Sequence, residues 1–216
     1  HLGWTSPVLL GGYAVLLLAL GGFVWVESRR SEPLIEPALF RVPSFAGAIV
    51  GALAVFIAFS VTLLLTTLIL QNAEGWTPLA AGAATLPMAL ATTVCAPVSG
   101  YLVGRVGARA PLIVAGICLV AGAGLLVCLR FGLSLPLLLV AYLVIGTGVG
   151  FANAPITNAA VSGLPPERAG VAGGTASTAR QVGTAIGIAL AGSMAPLSGE
   201  AGAFAAGLTG WLIVAA

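Results

Sequence analysis

Seven long runs of apolar residues follow one another along the chain, and short polar segments separate them. A helix that crosses the hydrocarbon core of a bilayer needs about 20 apolar residues, each adding about 1.5 Å of rise. Because these runs are continuous rather than alternating, they predict α-helices and not the strands of a membrane barrel. The predicted spans are Pro7 to Val26, Ser44 to Leu70, Leu79 to Val103, Pro111 to Leu129, Leu135 to Ala160, Val171 to Pro196 and a truncated run from Ala203 onward.

The connecting segments alternate in arginine content, which predicts the orientation of the spans. Loops that carry arginine face the cytoplasm in multi-pass proteins. The segments on the opposite side hold a single arginine, Arg130. The sequence therefore predicts that the N-terminal end of the chain lies outside and that the arginine-rich segments lie inside. Those segments carry Arg29, Arg30 and Arg41, then Arg105 and Arg109, then Arg168.

The composition excludes a soluble domain and several kinds of function. Hydrophobic residues make up 59% of the chain and charged residues 6%, with no Lys and no Asp. Soluble domains carry about 25% charged residues, so the bilayer is the predicted surroundings of this chain. The net charge of +2 does not indicate a nucleic-acid partner.

The residue types that most enzymes need are absent from the predicted spans. The only histidine is His1, and the three cysteines fit no metal-binding spacing. No phosphate-binding loop and no nucleophile beside a base is evident, so we expect neither an enzyme nor a metal or cofactor. The acidic residues all fall in loops or at the ends of spans: Glu27, Glu32, Glu36, Glu74, Glu167 and Glu200.

Small residues and prolines recur inside the spans. Glycines in GxxxG spacing let helix backbones approach closely, and such spacing favours general bundle packing over one specific dimer face. Prolines in a span remove a backbone donor and can kink the helix. The glycine pairs are Gly47 and Gly51, Gly146 and Gly150, Gly170 and Gly174, and Gly183 and Gly187; the prolines are Pro87, Pro97 and Pro155.

Arg180 lies within the sixth predicted span. An arginine in a span is costly, so its side chain must reach the headgroups or face protein or an aqueous cavity. Both readings stay open, an anchor at the membrane surface and a cavity-lining or gating residue. Polar residues of the fifth and sixth spans bond between helices or line a polar cavity. The candidate cavity-lining or gating residues are Asn153, Pro155, Asn158, Arg180 and Gln181.

The segment Gly100 to Arg109 combines glycines, which permit a tight turn, with two arginines, and it predicts a hairpin at one membrane face. It resembles the pattern GxLaDRxGrR that the major facilitator superfamily repeats in a cytoplasmic loop. The order of Gly75-Trp76-Thr77-Pro78, Leu86-Pro87 and Arg180-Gln181-Val182-Gly183 is also similar to the 14-span drug:proton antiporter branch of that family. The matching positions of the loop pattern are Gly100, Leu102, Arg105, Gly107 and Arg109.

This resemblance implies a part of a larger transporter in a bacterial-type plasma membrane. Residues 1–43 would be a linking helix with its cytoplasmic loop, and residues 44–216 the C-terminal six-helix bundle with its last helix truncated. The implied function is a proton-coupled multidrug exporter that works by alternating access with an N-terminal half. Its partners would be protons and small amphipathic or cationic substrates, with the coupling carboxylates in the N-terminal half. A channel-like or structural membrane subunit is the alternative, as is a fragment without independent activity.

One position departs from the family pattern. Gly104 stands where the family has an acid before the loop arginine. Arg105 therefore needs another partner, and we expect the segment to have a structural and conformational role.

Overall fold

The computed structural model describes residues 7–29, 37–72, 74–129, 134–162 and 164–194. Two compact units divide the chain, His1–Phe40 and Arg41–Ala216. The first contains helix α1, Pro7–Ser28. A short 3-10 helix, Pro37–Arg41, follows. The helices of the second unit are α2 (Pro43–Asn72), α3 (Pro78–Ala84), α4 (Leu86–Val106), α5 (Arg109–Cys128), α6 (Leu135–Val161) and α7 (Pro166–Met194).

All the regular elements in the described residues are helical, so the prediction of an all-α membrane protein is confirmed. By length and composition, four segments can cross a membrane, namely α2, α3 with α4, α5 and α6. Helix α7 contains most of the run Val171 to Pro196, but glycines, hydroxyl residues and Arg180 make it less apolar than these four. The apolar part of α1, Leu10–Val26, is shorter than they are. The run from Ala203 lies outside the described residues.

The third predicted span is two helices that meet at Thr85. Helix α3 begins where the Ala80 N–H donates to Thr77 Oγ1 at 3.2 Å, with a proline in its first turn. Pro87 ends this helix, because proline has no N–H to donate and its ring disfavours a helical conformation of the preceding turn. The Thr85 N–H instead donates to the Gly82 carbonyl at 3.1 Å. The break therefore follows from the backbone chemistry of proline.

Glycines bring α6 against α4 along what we call the first glycine seam. A Cβ atom built on Gly146 would lie 2.8 Å from Met88 Cα, and one on Gly150 would lie 2.8 Å from Cys95 Cβ. These separations are closer than side-chain carbon atoms normally approach. Only glycine therefore permits this contact between the two helices.

Helix α7 meets α2 along a second glycine seam. A Cβ on Gly183 would lie 2.8 Å from the Leu53 carbonyl oxygen, and one on Gly187 would lie 3.1 Å from Ile57 Cα. The other two predicted pairs, Gly47 with Gly51 and Gly170 with Gly174, have no described atom within 4 Å of such a Cβ. Two of the four GxxxG pairs thus form close helix contacts.

The contacts also give the direction of each helix. Residues of α4 and α6 meet in the same order along both helices, so these helices run parallel, and α2 and α7 run parallel for the same reason. Helix α5 runs antiparallel to α6, because Gly122 meets Ile145 while Ala115 meets Gly148. The bundle therefore has an arginine end, defined by Arg41, Arg105, Arg109 and Arg168, and an opposite end that we call the far end.

The two ends are packed with different side chains. Large residues close the far end, where Leu70, Leu126, Leu138 and Tyr142 are each at most 7% exposed. Toward the arginine end the buried positions of α2, α6 and α7 are mainly alanines. They include Ala48, Ala52, Ala152, Ala160, Ala172, Ala176 and Ala179.

Candidate functional site

The segment with the loop pattern is mostly helical and turns within two residues. Helix α4 continues to Val106 and α5 begins at Arg109, so only Gly107 and Ala108 lie between them. Gly107 has a φ of +82°, a conformation that a side chain disfavours, and its N–H donates to the Val103 carbonyl at 3.1 Å. Glycine at this position makes the two-residue turn possible.

The two arginines of this segment are exposed and lie on opposite sides of the turn. The Arg105 guanidinium carbon lies 4.6 Å from the centre of the Tyr101 ring, one helical turn earlier. This cation–π contact provides a partner for Arg105 in a sequence that has Gly104 in place of the family's acid. The position of Gly104 is open, because no described atom lies within 4 Å of a Cβ built there.

The Ser99 hydroxyl supplies the hydrogen bond that Pro155 cannot make within α6. A proline at position 155 cannot donate to the Phe151 carbonyl, which would otherwise accept its helical hydrogen bond. Ser99 Oγ, which is fully buried, donates to that carbonyl oxygen at 2.8 Å. Nearby, Thr92 Oγ1 donates to the carbonyl oxygen of Gly146 at 3.0 Å. Two hydroxyl groups of α4 thus reach backbone carbonyls of α6 across the first glycine seam, although Thr92 Oγ1 also lies 2.9 Å from the Met88 carbonyl oxygen of its own helix.

Arg180 turns toward α6. Its Nη1 donates to Asn153 Oδ1 at 3.0 Å and to Thr157 Oγ1 at 3.1 Å. The Thr157 hydroxyl in turn donates to the Asn153 carbonyl oxygen at 3.0 Å. Because Arg180 is partly buried and is held by side chains of another helix, its guanidinium contacts protein.

A cavity of about 550 Å³ opens between α4 and α6 toward the arginine end. The polar side chains of its wall come from α6, and the wall from α4 is small and apolar. Gly100, the first residue of the loop pattern, therefore borders the same space as the residues that hold Arg180. The lining residues are Ala96, Gly100, Val103, Asn153, Ala154, Thr157, Asn158 and Val161.

The structure brings some of the candidate residues together and separates others. Asn153 and Asn158 line the cavity, Arg180 bonds to the cavity wall, and Pro155 is buried beside it. Gln181 is exposed and belongs to no described cavity. Sequence reasoning missed the buried hydroxyl of Ser99, whose signal was a serine inside the apolar run Leu79 to Val103.

A second cavity, of about 620 Å³, lies between α2 and α5 and has mainly apolar walls. Gly51, Ala54 and Val55 form its α2 side, and Ala152 of α6 also lines it. Because charged side chains and side-chain amides are absent from its lining, this cavity offers apolar contact but no side-chain polar group that would fix the orientation of a ligand. The polar cavity between α4 and α6 is thus the better candidate site.

Comparison with known proteins matches this chain to one family. The profile of the Major Facilitator Superfamily matches residues 1–188. The multidrug resistance protein Stp of Mycobacterium tuberculosis is 40% identical over 194 residues, which are 90% of this chain and 36% of that protein. The tetracenomycin C resistance and export protein of Streptomyces glaucescens is 36% identical over 88% of this chain and 35% of its own length.

A third relative is similar over nearly the same region. The tetracycline resistance determinant of Streptomyces rimosus is 35% identical over 87% of this chain and 55% of its own length. This chain thus spans between about a third and just over a half of the length of these relatives.

Proposed function

The chain belongs to the Major Facilitator Superfamily, and on that premise we propose that it is part of a secondary transporter that exports drugs by alternating access. It is a multi-pass protein of a bacterial-type plasma membrane, with several helices long and apolar enough to span it. Its role is transport rather than catalysis of a chemical reaction. Residues 1–43 would act as the linking helix with its loop, and residues 44–216 as the C-terminal bundle.

The cavity between α4 and α6 is the observation that carries this proposal. A volume of about 550 Å³ falls in the range of small-molecule sites, about 300 to 1,000 Å³. Its walls combine apolar surface with Asn153, Thr157 and Asn158, a mixture that suits small amphipathic molecules. The names of the relatives, which refer to multidrug resistance and to the export of tetracenomycin C, support export as the direction.

Proton coupling is the second part of the proposal. The described helices hold no acidic residue away from a helix end, so the coupling carboxylates would lie in the N-terminal half of the longer protein. The two halves would rock about a substrate site between them, and the residues that line the cavity of this bundle would form one wall of that site. Arg105 and Arg109 would stay at the cytoplasmic face during this motion.

Efflux from cells that produce the full-length protein tests the proposal. Cells loaded with ethidium should lose the dye faster than cells with an empty vector, and a protonophore should abolish the difference. Counterflow in proteoliposomes separates a carrier from a channel, because only a carrier transiently accumulates labelled substrate above its external concentration while unlabelled substrate leaves. Efflux that persists without a proton gradient would refute proton coupling, and flux without counterflow would favour a channel.

A further inference from the structure

Arg180 has hydrogen-bonding capacity that its neighbours do not use. Both of its bonds to α6 come from Nη1. Within the part of the chain that the structure describes, Nε and Nη2 have no hydrogen-bond partner. An arginine presents these remaining N–H groups in a planar fork that matches the two oxygens of a carboxylate. The guanidinium is therefore held by one edge while another edge stays available.

The charge of Arg180 also lacks a counter-ion among the described residues. Asn153 and Thr157 accept hydrogen bonds but are neutral, so they satisfy donors without balancing the charge. Arg180 is the only charged residue of the described helices that lies more than one turn from a helix end. In a medium of low dielectric constant, an unbalanced cation attracts an anion and disfavours a second cation.

The unbalanced charge lies beside the candidate cavity. Asn153 and Thr157 line that cavity and also hold Nη1, so the guanidinium is one hydrogen bond away from the cavity wall. Asn158 adds an amide to the same wall. Asn153 lies about 12 Å from the end of α6 at the helical rise per residue, so this site is set back from the arginine end of the bundle.

We propose that Arg180, positioned by Asn153 and Thr157, is a binding site for the carboxylate group of a transported compound. The proposal rests on the proposed function and narrows it, since the fixed cation would bind an amphipathic acid more tightly than a neutral or cationic compound of similar shape. Little side-chain entropy is lost when a ligand binds, because α6 already orients the guanidinium. A carboxylate side chain from the rest of the longer protein is the competing source of the same chemistry.

Three coumarins that differ in charge test the site in the purified full-length protein. The probes are 7-diethylaminocoumarin-3-carboxylic acid, its neutral ethyl ester, and its amide carrying a trimethylammonium group. Fluorescence anisotropy gives the Kd of each probe, and uptake into proteoliposomes with an imposed proton gradient gives its transport. The binding assay addresses the site, and the transport assay addresses the proposed function, so the two can fail separately.

Substitution of Arg180 should affect only the acid. Arg180→Gln should weaken binding of the acid about tenfold to a hundredfold, the range for a lost hydrogen bond to a charged group, and leave the ester unchanged. For Arg180→Lys, the Kd of the acid should lie between the values for the wild-type protein and for Arg180→Gln, because lysine keeps the charge but lacks the planar fork of N–H groups. Arg41→Gln, which removes an exposed charge at the arginine end, is the matched control and should leave all three Kd values unchanged.

Asn153→Asp gives a second test with almost no change in shape. It places a carboxylate oxygen where Asn153 Oδ1 now accepts from Arg180 Nη1 at 3.0 Å. This internal acid should occupy the guanidinium and weaken binding of the coumarin acid as strongly as Arg180→Gln does. The protein should still bind the ester, which shows that it remains folded.

Two results would overturn the carboxylate site. Equal losses for all three probes in Arg180→Gln would assign Arg180 a role in positioning α7. Unchanged binding of the acid together with tighter binding of the cation would show that Arg180 pairs with a carboxylate of the protein itself. Failure of the wild-type protein to transport any probe, with the Kd pattern intact, would contradict the proposed function and leave the site standing.

Discussion

The two ends of the bundle solve the packing problem in opposite ways. At the far end, Leu138 and Tyr142 are buried among other large side chains, and the helices are joined by broad apolar contact. Toward the arginine end, the buried positions are mainly alanines, and polar groups of α6 line an open cavity. Lipid is as apolar as leucine, so helices associate through close packing and hydrogen bonds rather than through the hydrophobic effect. The far end relies on packing, and the arginine end combines small residues with polar contacts.

The largest expected effect comes from removing the tyrosine at the far end, and removing a tyrosine at the arginine end serves as its comparison. Tyr142→Ala should lower the free energy of unfolding by about 3–5 kcal/mol, because the ring is fully buried at the far end. Tyr101→Ala is the matched control, since Tyr101 is 59% exposed and loses mainly a cation–π contact of about 0.5–1 kcal/mol. Unfolding of the full-length protein in mixed micelles measures both. Equal losses of unfolding free energy at the two positions would contradict the difference in packing between the two ends.

The next effect tests the first glycine seam. Gly146→Ala should destabilise the protein by about 1–3 kcal/mol, since the new Cβ would meet the backbone of Met88, which cannot move aside as a side chain can. Gly47→Ala has the same chemistry at an open position and should be neutral or stabilising by about 0.5–1 kcal/mol from helix propensity. The same unfolding assay compares them. A tolerated alanine at Gly146 would show that α4 and α6 adjust easily.

An effect of similar size concerns the Phe151 carbonyl, to which Pro155 cannot donate. Ser99→Ala should cost about 1–3 kcal/mol, because the Phe151 carbonyl would lose its donor in a buried position. Pro155→Ala restores an N–H that can reach this carbonyl within α6, so the double variant should recover much of the loss. A double-mutant cycle on the four proteins gives the coupling energy. Additive effects would mean that the serine and the proline act independently.

The smallest effect belongs to the loop pattern. Gly104→Asp introduces the acid of the family pattern at an open position and should change the stability by less than about 0.5 kcal/mol. The gain in helix propensity opposes the unfavourable negative charge near a helix C-terminus. Unfolding and dye efflux of the full-length protein together check this expectation. A large gain would show that Arg105 benefits from an acid that Tyr101 does not replace.

Most of the helical architecture could be predicted from hydropathy, because a long apolar run has few alternatives to a helix in lipid. The contacts could not. The spacing of Gly47 and Gly51 is the same as that of Gly146 and Gly150, yet only the second pair meets a neighbouring helix. GxxxG is a property of one helix, whereas a seam depends on which face another helix covers.

The candidate site was only partly predictable for the same reason. Arg180 and Asn153 stand out as polar residues in apolar runs, and their position on consecutive helices suggested a shared cavity. Their hydrogen bond depends on the rotation of α7 about its axis, which the second glycine seam sets through Gly183. The turn at Gly107 is shorter than the interval between the predicted spans, from Val103 to Pro111, because arginine at a helix end can reach the headgroups without leaving the helix.

The glycine seams join helices that are not consecutive in the chain, and this has a consequence for biosynthesis. Helix α4 has its seam with α6 and α2 has its seam with α7, so each earlier helix enters the membrane before its partner has been synthesised. Until α6 arrives, the Ser99 hydroxyl lacks the Phe151 carbonyl, and the close-packing surface of α4 faces lipid or the insertion machinery. The nascent bundle therefore passes through an incompletely packed stage. The first seam can form before the second, because α6 is synthesised before α7.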